Sequence, residues 1–202
     1  MKVLMLNGSP RAHGCTYTAL REVADTLETA GVETEILHVA KGAVRGCIAC
    51  GQCSKRDNCA IEGDGVNEAI EKMAKSDGLI VGSPVYYASP NGMLLSFLDR
   101  MFYAGDCFAY KPGAAVVSAR RAGTTASLDV LYKYFLIANM PMVPSQYWCM
   151  VHGHTPDDVR KDEEGMQTMR TLGRNMAWML ECFKGKELPK AEEPRKWTHF
   201  IR

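Results

Sequence analysis

Short apolar runs alternate with longer amphipathic segments along most of this chain, and this alternation restricts the possible folds more than any other feature. Val3–Leu6 and Leu79–Val81 are apolar at consecutive positions, which is typical of strands in a parallel sheet covered by helices on both faces. Strands are predicted at 2–7, 34–39, 78–83, 114–119 and 146–151, and helices at 15–30, 64–76, 91–104, 125–139 and 157–183. Five β-α units in this order predict an α/β fold with a doubly wound parallel sheet.

The length and the charge of the chain narrow its possible functions. Its 202 residues, 47% of them hydrophobic, suffice for one sizeable core, so we expect a single domain over 1–202 with a cysteine-loop insertion at 47–59. A formal net charge of +1 provides no basic face for nucleic acid and no polybasic run for a membrane surface. The apolar runs are too short for a signal sequence or a membrane span, so a cytoplasmic location is expected.

The C-terminal tail, 185–202, is polar yet ends with three large apolar side chains, Trp197, Phe200 and Ile201. Exposed aromatic side chains are costly. We therefore expect these residues to dock on the body of the protein or on a neighbouring subunit.

The loop after the first predicted strand has the composition of a phosphate site. It reads NGSPRAHGCTYT (7–18) and combines a turn glycine, small hydroxyl residues, an arginine and the start of a helix. Ligands of open parallel sheets bind beyond the carboxyl ends of the strands, where free N–H groups of a helix favour an anion. The loop has neither the Walker pattern nor G-x-G-x-x-G, so it predicts one phosphate held by Ser9, Arg11 and Thr16. A strand-to-helix turn capped by serine or threonine is the alternative.

Two further loops at the same edge of the predicted sheet suit a planar ring. The first, GSPVYYASPNGML (82–94), offers the flat aromatic surfaces of Tyr86 and Tyr87. The second, SARRAG (118–123), contains small residues that let the backbone approach a ring. A phosphate loop together with two ring-sized loops describes a site for flavin mononucleotide (FMN).

The motifs GSPR...GCT (8–16) and GSPVYYASPNGML..FLDR (82–100), together with the cysteine loop, resemble those of the flavodoxin-like NAD(P)H-dependent FMN reductases, and in particular of the iron-sulfur flavoproteins among them. The resemblance covers nearly the whole chain. It implies a flavodoxin-like three-layer fold with a five-stranded parallel sheet, FMN at the carboxyl edge of that sheet, and a homodimer or homotetramer.

The resemblance also implies which residues contact FMN. Cys15 stands where the family commonly has asparagine, and a thiol is only a weak donor to a phosphate. The arginine-rich 118–123 loop departs from the glycine-rich loop of many of these reductases. The positions that match the FMN contacts of the family are Ser9, Arg11, Cys15 and Thr16 in the phosphate loop, Pro84, Val85, Tyr86 and Tyr87 in the ring loop, and Ser118, Arg120 and Gly123 in the third loop.

Four of the eight cysteines lie within thirteen residues, CIACGQCSKRDNC (47–59). In a reducing compartment such a cluster is more typical of metal binding or redox chemistry than of a disulfide framework. Cys47, Cys50, Cys53 and Cys59 are spaced C-x2-C-x2-C-x5-C. Three cysteines at x2 intervals wrap one corner of a cubane and the fourth completes its thiolate set, so the spacing predicts a single [4Fe-4S] cluster.

Other interpretations of the cysteines remain open. A structural zinc site normally separates two C-x2-C pairs by a dozen or more residues, and five residues are short for that. Zinc remains an alternative, as do free or disulfide-bonded thiols. Outside the loop, Cys107, Cys149 and Cys182 are predicted to be core thiols. His152 and His154 are predicted to be ordinary hydrogen-bonding residues, with acid-base or metal-binding groups as the alternative, and the resemblance implies that this region lies near the flavin.

The sequence therefore predicts an FMN-dependent oxidoreductase that moves electrons from NAD(P)H or a ferredoxin-like donor through FMN to a small acceptor such as a quinone or a flavin. No catalytic side chain is expected, because the flavin carries the chemistry. The alternative is a non-enzymatic electron carrier that docks a partner protein. Lys41, Arg45, Lys55 and Arg56 form a basic rim around the cysteine loop that suits an acidic ferredoxin surface.

Overall fold

The computed structural model describes residues 1–189, 193, 194, 196, 198 and 200, which contain six strands, six α-helices and a short 3-10 helix at Gln52–Lys55. The strands are β1 (Lys2–Asn7), β2 (Glu33–His38), β3 (Gly78–Tyr86), β4 (Ser89–Pro90), β5 (Gly113–Ala119) and β6 (Met150–His152). The helices are α1 (Cys15–Thr29), α2 (Val66–Ala74), α3 (Gly92–Ala104), α4 (Thr124–Ile137), α5 (Pro156–Lys161) and α6 (Glu163–Phe183).

Five of the strands form a parallel sheet in the order β2-β1-β3-β5-β6, which is the strand order of doubly wound folds of the flavodoxin type. The chain moves outward from β1 to β2, and then returns across β1 to β3. The predicted α/β fold with a five-stranded parallel sheet is confirmed. The short β4 adds an antiparallel pairing to the end of β3, in which Val85 lies opposite Pro90.

Both faces of the sheet are buried under helices. Successive side chains of a strand point to opposite faces, and in β1 Leu4 and Leu6 pack with α2, α3 and α4. Val3 and Met5 pack with α1 and α6 on the other face. The predicted three-layer arrangement is therefore confirmed, and it explains why the strands are apolar at consecutive positions.

The last strand is shorter and begins later than predicted. The sequence predicts a strand at 146–151, whereas β6 spans Met150–His152. The preceding residues are held by α6, since the Ser145 hydroxyl donates to the Thr168 carbonyl at 2.7 Å. Within the predicted range, the Cys149 carbonyl accepts a hydrogen bond from the Val117 N–H of β5 at 3.0 Å, so pairing with β5 begins just before β6.

The last helix is broken where one was predicted at 157–183. α5 ends at Lys161, and Asp162 is the N-cap of α6, with its Oδ1 accepting a hydrogen bond from the Gly165 N–H at 3.0 Å. An aspartate at this position satisfies a free N–H group of the new helix. The break therefore has a local cause that hydrophobic periodicity does not reveal.

Of the tail residues predicted to dock, Trp197 and Ile201 lie outside the described residues. Phe200 is described and is exposed, so it does not dock on this chain, and docking on a neighbouring subunit stays a prediction. Among the helices that the structure describes, none combines the length and apolar character needed to cross a membrane.

Candidate functional site

A cavity of about 230 Å³ lies at the carboxyl edge of the sheet, where the chain reverses between β1 and β3. The loops after β1, β3, β5 and β6 form its wall. This is the topological switch point at which doubly wound folds bind their ligands. The lining residues are Ser9, Arg11, Cys15, Thr16, Pro84, Val85, Tyr86, Ser118, Ala119, Arg120, Gly153 and His154.

The loop after β1 is held in shape by its own hydrogen bonds. The Ser9 N–H donates to Asn7 Oδ1 at 3.1 Å, and the Arg11 N–H donates to Ser9 Oγ at 3.2 Å. The His38 Nε2 lies 2.7 Å from the Ser9 carbonyl oxygen, which connects the loop to the end of β2. A side chain at Gly8 would place its Cβ 2.5 Å from Leu94 Cδ2, so only glycine fits there. The course of the loop is therefore fixed by contacts within the chain itself.

The N-terminus of α1 faces this loop with donors available. Gly14 is the N-cap, no side chain caps the helix, and its first turn contains no acidic residue. The free N–H groups and the helix dipole therefore favour an anion. Arg11 is exposed beside them and adds a positive charge. The arrangement fits one phosphate group, as the sequence predicts.

Two contacts join α1 to the loops on the other side of the cavity. The Oγ atoms of Thr16 and Ser118 lie 2.9 Å apart and both residues are buried. The Cys15 thiol donates to the Gly153 carbonyl at 3.8 Å. Burial raises the pKa of Cys15, so this thiol stays protonated at neutral pH and is a neutral group beside the phosphate loop.

The loop after β3 turns sharply, and this decides which tyrosine faces the cavity. Pro84, Val85 and Tyr86 line the cavity, whereas Tyr87 has a positive φ of 51° and is fully exposed. Gly123 also lies outside the lining. It has a φ of +96°, and a Cβ there would lie 2.8 Å from the Cα of Ala88. Gly123 therefore packs closely against the backbone of the turn at Ala88.

The structure thus brings together all the predicted FMN contacts except Tyr87 and Gly123. It adds Ala119, Gly153 and His154, which the sequence analysis did not assign to the site. Their position, with Ala119 at the carboxyl end of β5 and Gly153 and His154 directly after β6, is the signal that points to them. His154 was expected to be an ordinary hydrogen-bonding residue, and it is exposed at the cavity wall.

A second cavity lies between the cysteine loop and the C-terminal half of α3. Arg100, Tyr103 and Ala104 of α3 contribute to its wall. All four cysteines of the loop line it, namely Cys47, Cys50, Cys53 and Cys59. Neither a histidine nor a carboxylate belongs to this lining, so the donor set consists of sulfur, which suits iron-sulfur clusters.

The cysteine loop has little regular structure, and its cysteines differ in exposure. Cys47 and Cys50 are exposed, Cys53 is half-buried and Cys59 is buried, and none is in a disulfide. The Ala49 N–H donates to Cys47 Sγ at 3.4 Å. Across residues 1–189 and the five described tail positions, no group of three or more histidine, cysteine or acidic side chains is arranged to hold a metal ion.

Arg100 fixes the end of the cysteine loop. Its side chain is 1% exposed and forms an ion pair with Asp64. Its Nε donates to Cys59 Sγ at 3.3 Å. Burial lowers the pKa of Arg100, but the hydrogen bonds to Asp64 and Cys59 outweigh burial and raise it overall. The side chain is therefore a buried cation next to a sulfur ligand.

The lone cysteines differ from one another. Cys149 is buried, and burial raises its pKa to about 12. Cys107 is half-buried. Cys182 is exposed on α6, so its assignment to the core was wrong. Cys182 lies in the last turn of α6, beyond Leu180, which is the last buried residue of that helix.

A phosphate loop and a ring-sized cavity at the switch point of this sheet define a flavin-binding protein of the flavodoxin-like class. The family model for the NADPH-dependent FMN reductases matches residues 1–155, and this chain belongs to that family. The predicted family is confirmed, and the protein is a flavin-dependent oxidoreductase.

Similar proteins agree with this assignment. An iron-sulfur flavoprotein of Methanocaldococcus jannaschii is 32% identical over 193 residues, which cover 91% of this chain and all of that protein. The fold is similar to that of an archaeal flavodoxin, with a TM-score of 0.61 and 13% identity over 90% of this chain and 99% of the other. It is also similar to an NAD(P)H:acceptor oxidoreductase of Paracoccus denitrificans, with a TM-score of 0.68 and 18% identity over 90% of this chain and 97% of the other.

Proposed function

We propose that this protein binds FMN in the cavity at the switch point and passes electrons from NAD(P)H or a ferredoxin-like donor to a small acceptor such as a quinone or a flavin. We further propose that its cysteine loop holds a [4Fe-4S] cluster. A cytoplasmic location, as the sequence predicts, belongs to the same proposal.

The phosphate loop, held by its own hydrogen bonds, is the observation that carries the FMN assignment. Ser9, Arg11 and Thr16 lie around the uncapped N-terminus of α1, at one end of the cavity. A helix N-terminus with a cation beside it binds a phosphate well, because both the N–H groups and the charge act on the same anion. Pro84, Tyr86 and Ala119 line the same cavity, so a ring can lie beside the phosphate site.

When bound, FMN supplies the hydride and electron chemistry, so the protein provides binding, orientation and electrostatics. Tyr86 offers an aromatic surface to one side of a ring. Arg120 and His154 are exposed at the cavity wall, so the donor and then the acceptor have access from solvent. Neither residue is required to move a proton for hydride transfer.

The chemistry of the cysteine cavity supports the cluster proposal. Four thiols line one cavity, and N–H groups of Ala49 and Arg100 point at two of the sulfur atoms. Hydrogen bonds of this kind stabilise thiolates and tune bound clusters. The relatives named iron-sulfur flavoproteins point in the same direction.

An anaerobic spectrum with iron and sulfide assays tests both parts of the proposal. Flavin bands that saturate at one FMN per chain, with NADH or NADPH oxidised in the presence of a quinone, support the enzyme. About four irons and four sulfides per chain support the cluster. A Cys53→Ser variant should lose iron, whereas Cys182→Ser, on the exposed face of α6, should keep it. Protein that binds no FMN would overturn the proposal.

A second candidate function is an electron carrier that docks a partner protein at the cysteine loop. Lys41, Arg45, Lys55 and Arg56 are exposed around the loop, although Arg56 lies 3.8 Å from Glu62. An acidic partner would gain from this rim mainly in its rate of association. Reduction by ferredoxin that slows with added salt, without any NAD(P)H oxidation, would favour the carrier over the enzyme.

We also propose that the chain forms a homodimer or homotetramer. Leu136, Ile137, Tyr147, Trp148 and Trp178 are large apolar side chains that are more than half exposed on a single chain. Such side chains commonly mark protein interfaces. Sedimentation equilibrium of the purified protein gives the oligomeric state directly, and a monomer across the micromolar range would contradict this proposal.

A further inference from the structure

Every N–H group of the Arg100 guanidinium has an acceptor. Nε donates to Cys59 Sγ at 3.3 Å, and one terminal nitrogen donates to the Arg45 carbonyl at 3.2 Å and to an oxygen of Asp64. The other terminal nitrogen donates to the Ile61 carbonyl at 2.7 Å and to the second Asp64 oxygen at 3.1 Å. Five donors with five acceptors fix the guanidinium in one orientation.

These acceptors lie on both sides of the cysteine loop. Arg45 precedes its first cysteine, and Ile61 and Asp64 follow its last. Asn67 holds Cys59 independently, with its Oδ1 accepting from the Cys59 N–H at 2.8 Å and its Nδ2 donating to the Cys59 carbonyl at 3.0 Å. The backbone of Cys59 is therefore fixed by Asn67, and its sulfur is contacted by Arg100.

Cys59 differs from the other three cysteines because its sulfur accepts a hydrogen bond from a buried cation. A donor at a cysteine sulfur stabilises additional negative charge on that sulfur, and hydrogen bonds to sulfur and burial are among the factors that set the potential of a cluster. Asp64 carries the opposite charge and offsets part of the effect of Arg100. The two residues should therefore act on the potential with opposite signs.

We propose that Arg100 is a positioning residue that raises the reduction potential of a cluster in the cysteine loop through its hydrogen bond to Cys59, and that Asp64 lowers it. This inference rests on the proposed cluster. It assigns a tuning role to a residue of the FLDR segment that contacts neither the cavity at the switch point nor its phosphate loop.

The test is an EPR-monitored redox titration of anaerobically purified protein, with iron and sulfide assayed on each sample. Arg100→Lys keeps the positive charge but loses the rigid fork that places a donor on Cys59, so its midpoint potential should be more negative than that of the wild type. Asp64→Asn keeps a hydrogen-bonding side chain but leaves the cation less neutralised, so its midpoint should be more positive. Lys55→Gln removes an exposed cation from the same loop and should shift the midpoint less than either variant, because water screens it.

Resonance Raman spectra give a second measurement on the same samples. Loss of the donor in Arg100→Lys should change the stretching frequency of the iron-thiolate bonds, whereas Lys55→Gln should not. Shifts of the same sign in both buried variants, or equal shifts in all three, would overturn the role of Arg100. Wild-type protein without iron or sulfide would instead overturn the cluster proposal, and the tuning role with it. If either Arg100→Lys or Asp64→Asn loses its cluster, the sign of the midpoint-potential shift in the other variant still tests the proposal.

Discussion

The hydroxyl groups of Thr16 and Ser118 lie 2.9 Å apart at the base of the switch-point cavity. Thr16 lies in the first turn of α1, and Ser118 lies near the end of β5. This contact therefore joins the phosphate loop (7–18) to the third loop of the site (118–123). Both residues are less than 5% exposed. Because a hydroxyl group both donates and accepts, one of the pair keeps capacity for a ligand oxygen.

Replacing Thr16 by valine should therefore weaken FMN binding. The change keeps the shape of the side chain but removes a hydroxyl that is available to the phosphate, and a hydrogen bond to a charged group contributes about 1.5–3 kcal/mol, or roughly 10- to 100-fold in affinity. Fluorescence quenching of FMN measures the dissociation constant. Thr18→Val is the matched control, since Thr18 bonds only to the Gly14 carbonyl at 3.2 Å. Equal affinities of the two variants would contradict this assignment.

Replacing Arg11 by glutamine should reduce the preference for FMN over riboflavin. A hydrogen bond to a charged group contributes about 1.5–3 kcal/mol, or roughly 10- to 100-fold in affinity, and riboflavin lacks the phosphate that would receive it. Titrations with both ligands give the ratio of the two affinities. Arg21→Gln on α1 is the control, because Arg21 pairs with Asp25 and Glu28 outside the cavity. Weaker binding of both ligands to the same extent would assign Arg11 to the loop structure and not to the phosphate.

The phosphate loop could be predicted from sequence because its residues are contiguous. Ser9, Arg11 and Thr16 share one strand-to-helix connection, and hydrophobic periodicity places that connection at the carboxyl edge of the sheet. Tyr87, which has a positive φ of 51°, lies outside the cavity lining, and its contact with FMN stays a prediction. Local backbone geometry of this kind is not encoded in residue type for tyrosine.

Residues whose position depends on distant contacts were missed. Gly153 and His154 line the cavity because they follow directly after β6, which ends at His152 and begins four residues later than the sequence predicts. The sequence predicted a helix over Arg100 but no role for its charge. An arginine in a largely apolar helix is the signal from which a buried ion pair could have been predicted.

Substituting Gly8 by alanine should destabilise the protein and disturb the phosphate loop. The added Cβ would lie 2.5 Å from Leu94 Cδ2 and 2.8 Å from the Gly82 carbonyl oxygen, and overpacking of this kind costs about 1–3 kcal/mol. Urea denaturation measures the free energy of unfolding. Gly42→Ala is the control, since a Cβ there meets no atom within 4 Å. If Gly8→Ala matched this control in stability and in FMN affinity, the close approach of β1 and β3 would not require glycine.

The buried pair of Arg100 and Asp64 should show strong coupling in a double-mutant cycle. Removing either partner leaves an uncompensated buried charge, which costs about 3–5 kcal/mol, whereas apolar residues at both positions are often tolerated. We expect Arg100→Leu and Asp64→Leu each to lower the free energy of unfolding, and the double variant to lower it by less than the sum. Iron-free protein is used in denaturant titrations, so that the result does not depend on a cluster. Additive single effects would show that the two charges do not stabilise each other.

The capping box that begins α5 should make stability depend on pH in the acidic range. The Thr155 hydroxyl, and then the N–H groups of Thr155 and His154, lower the pKa of Asp158 from its ordinary value of 3.8. A carboxylate with a lowered pKa in the folded state stabilises that state above its unfolded pKa, and this contribution is lost as the pH falls through the folded pKa.

Asp158→Asn should therefore melt at a lower temperature than the wild type well above pH 3.8, and the difference should disappear at lower pH, where the protonated aspartate resembles asparagine. Thermal unfolding followed by circular dichroism over this range measures the effect. Asp157→Asn is the control, because Asp157 is 83% exposed and pairs only with Arg160 at 2.7 Å, an interaction of little net stability. A melting difference for Asp158→Asn that stays constant with pH would mean that the side chain acts through its shape.

Since Gly153 and His154 line the cavity next to this cap, the same variant should also weaken FMN binding at neutral pH if the cap positions that wall.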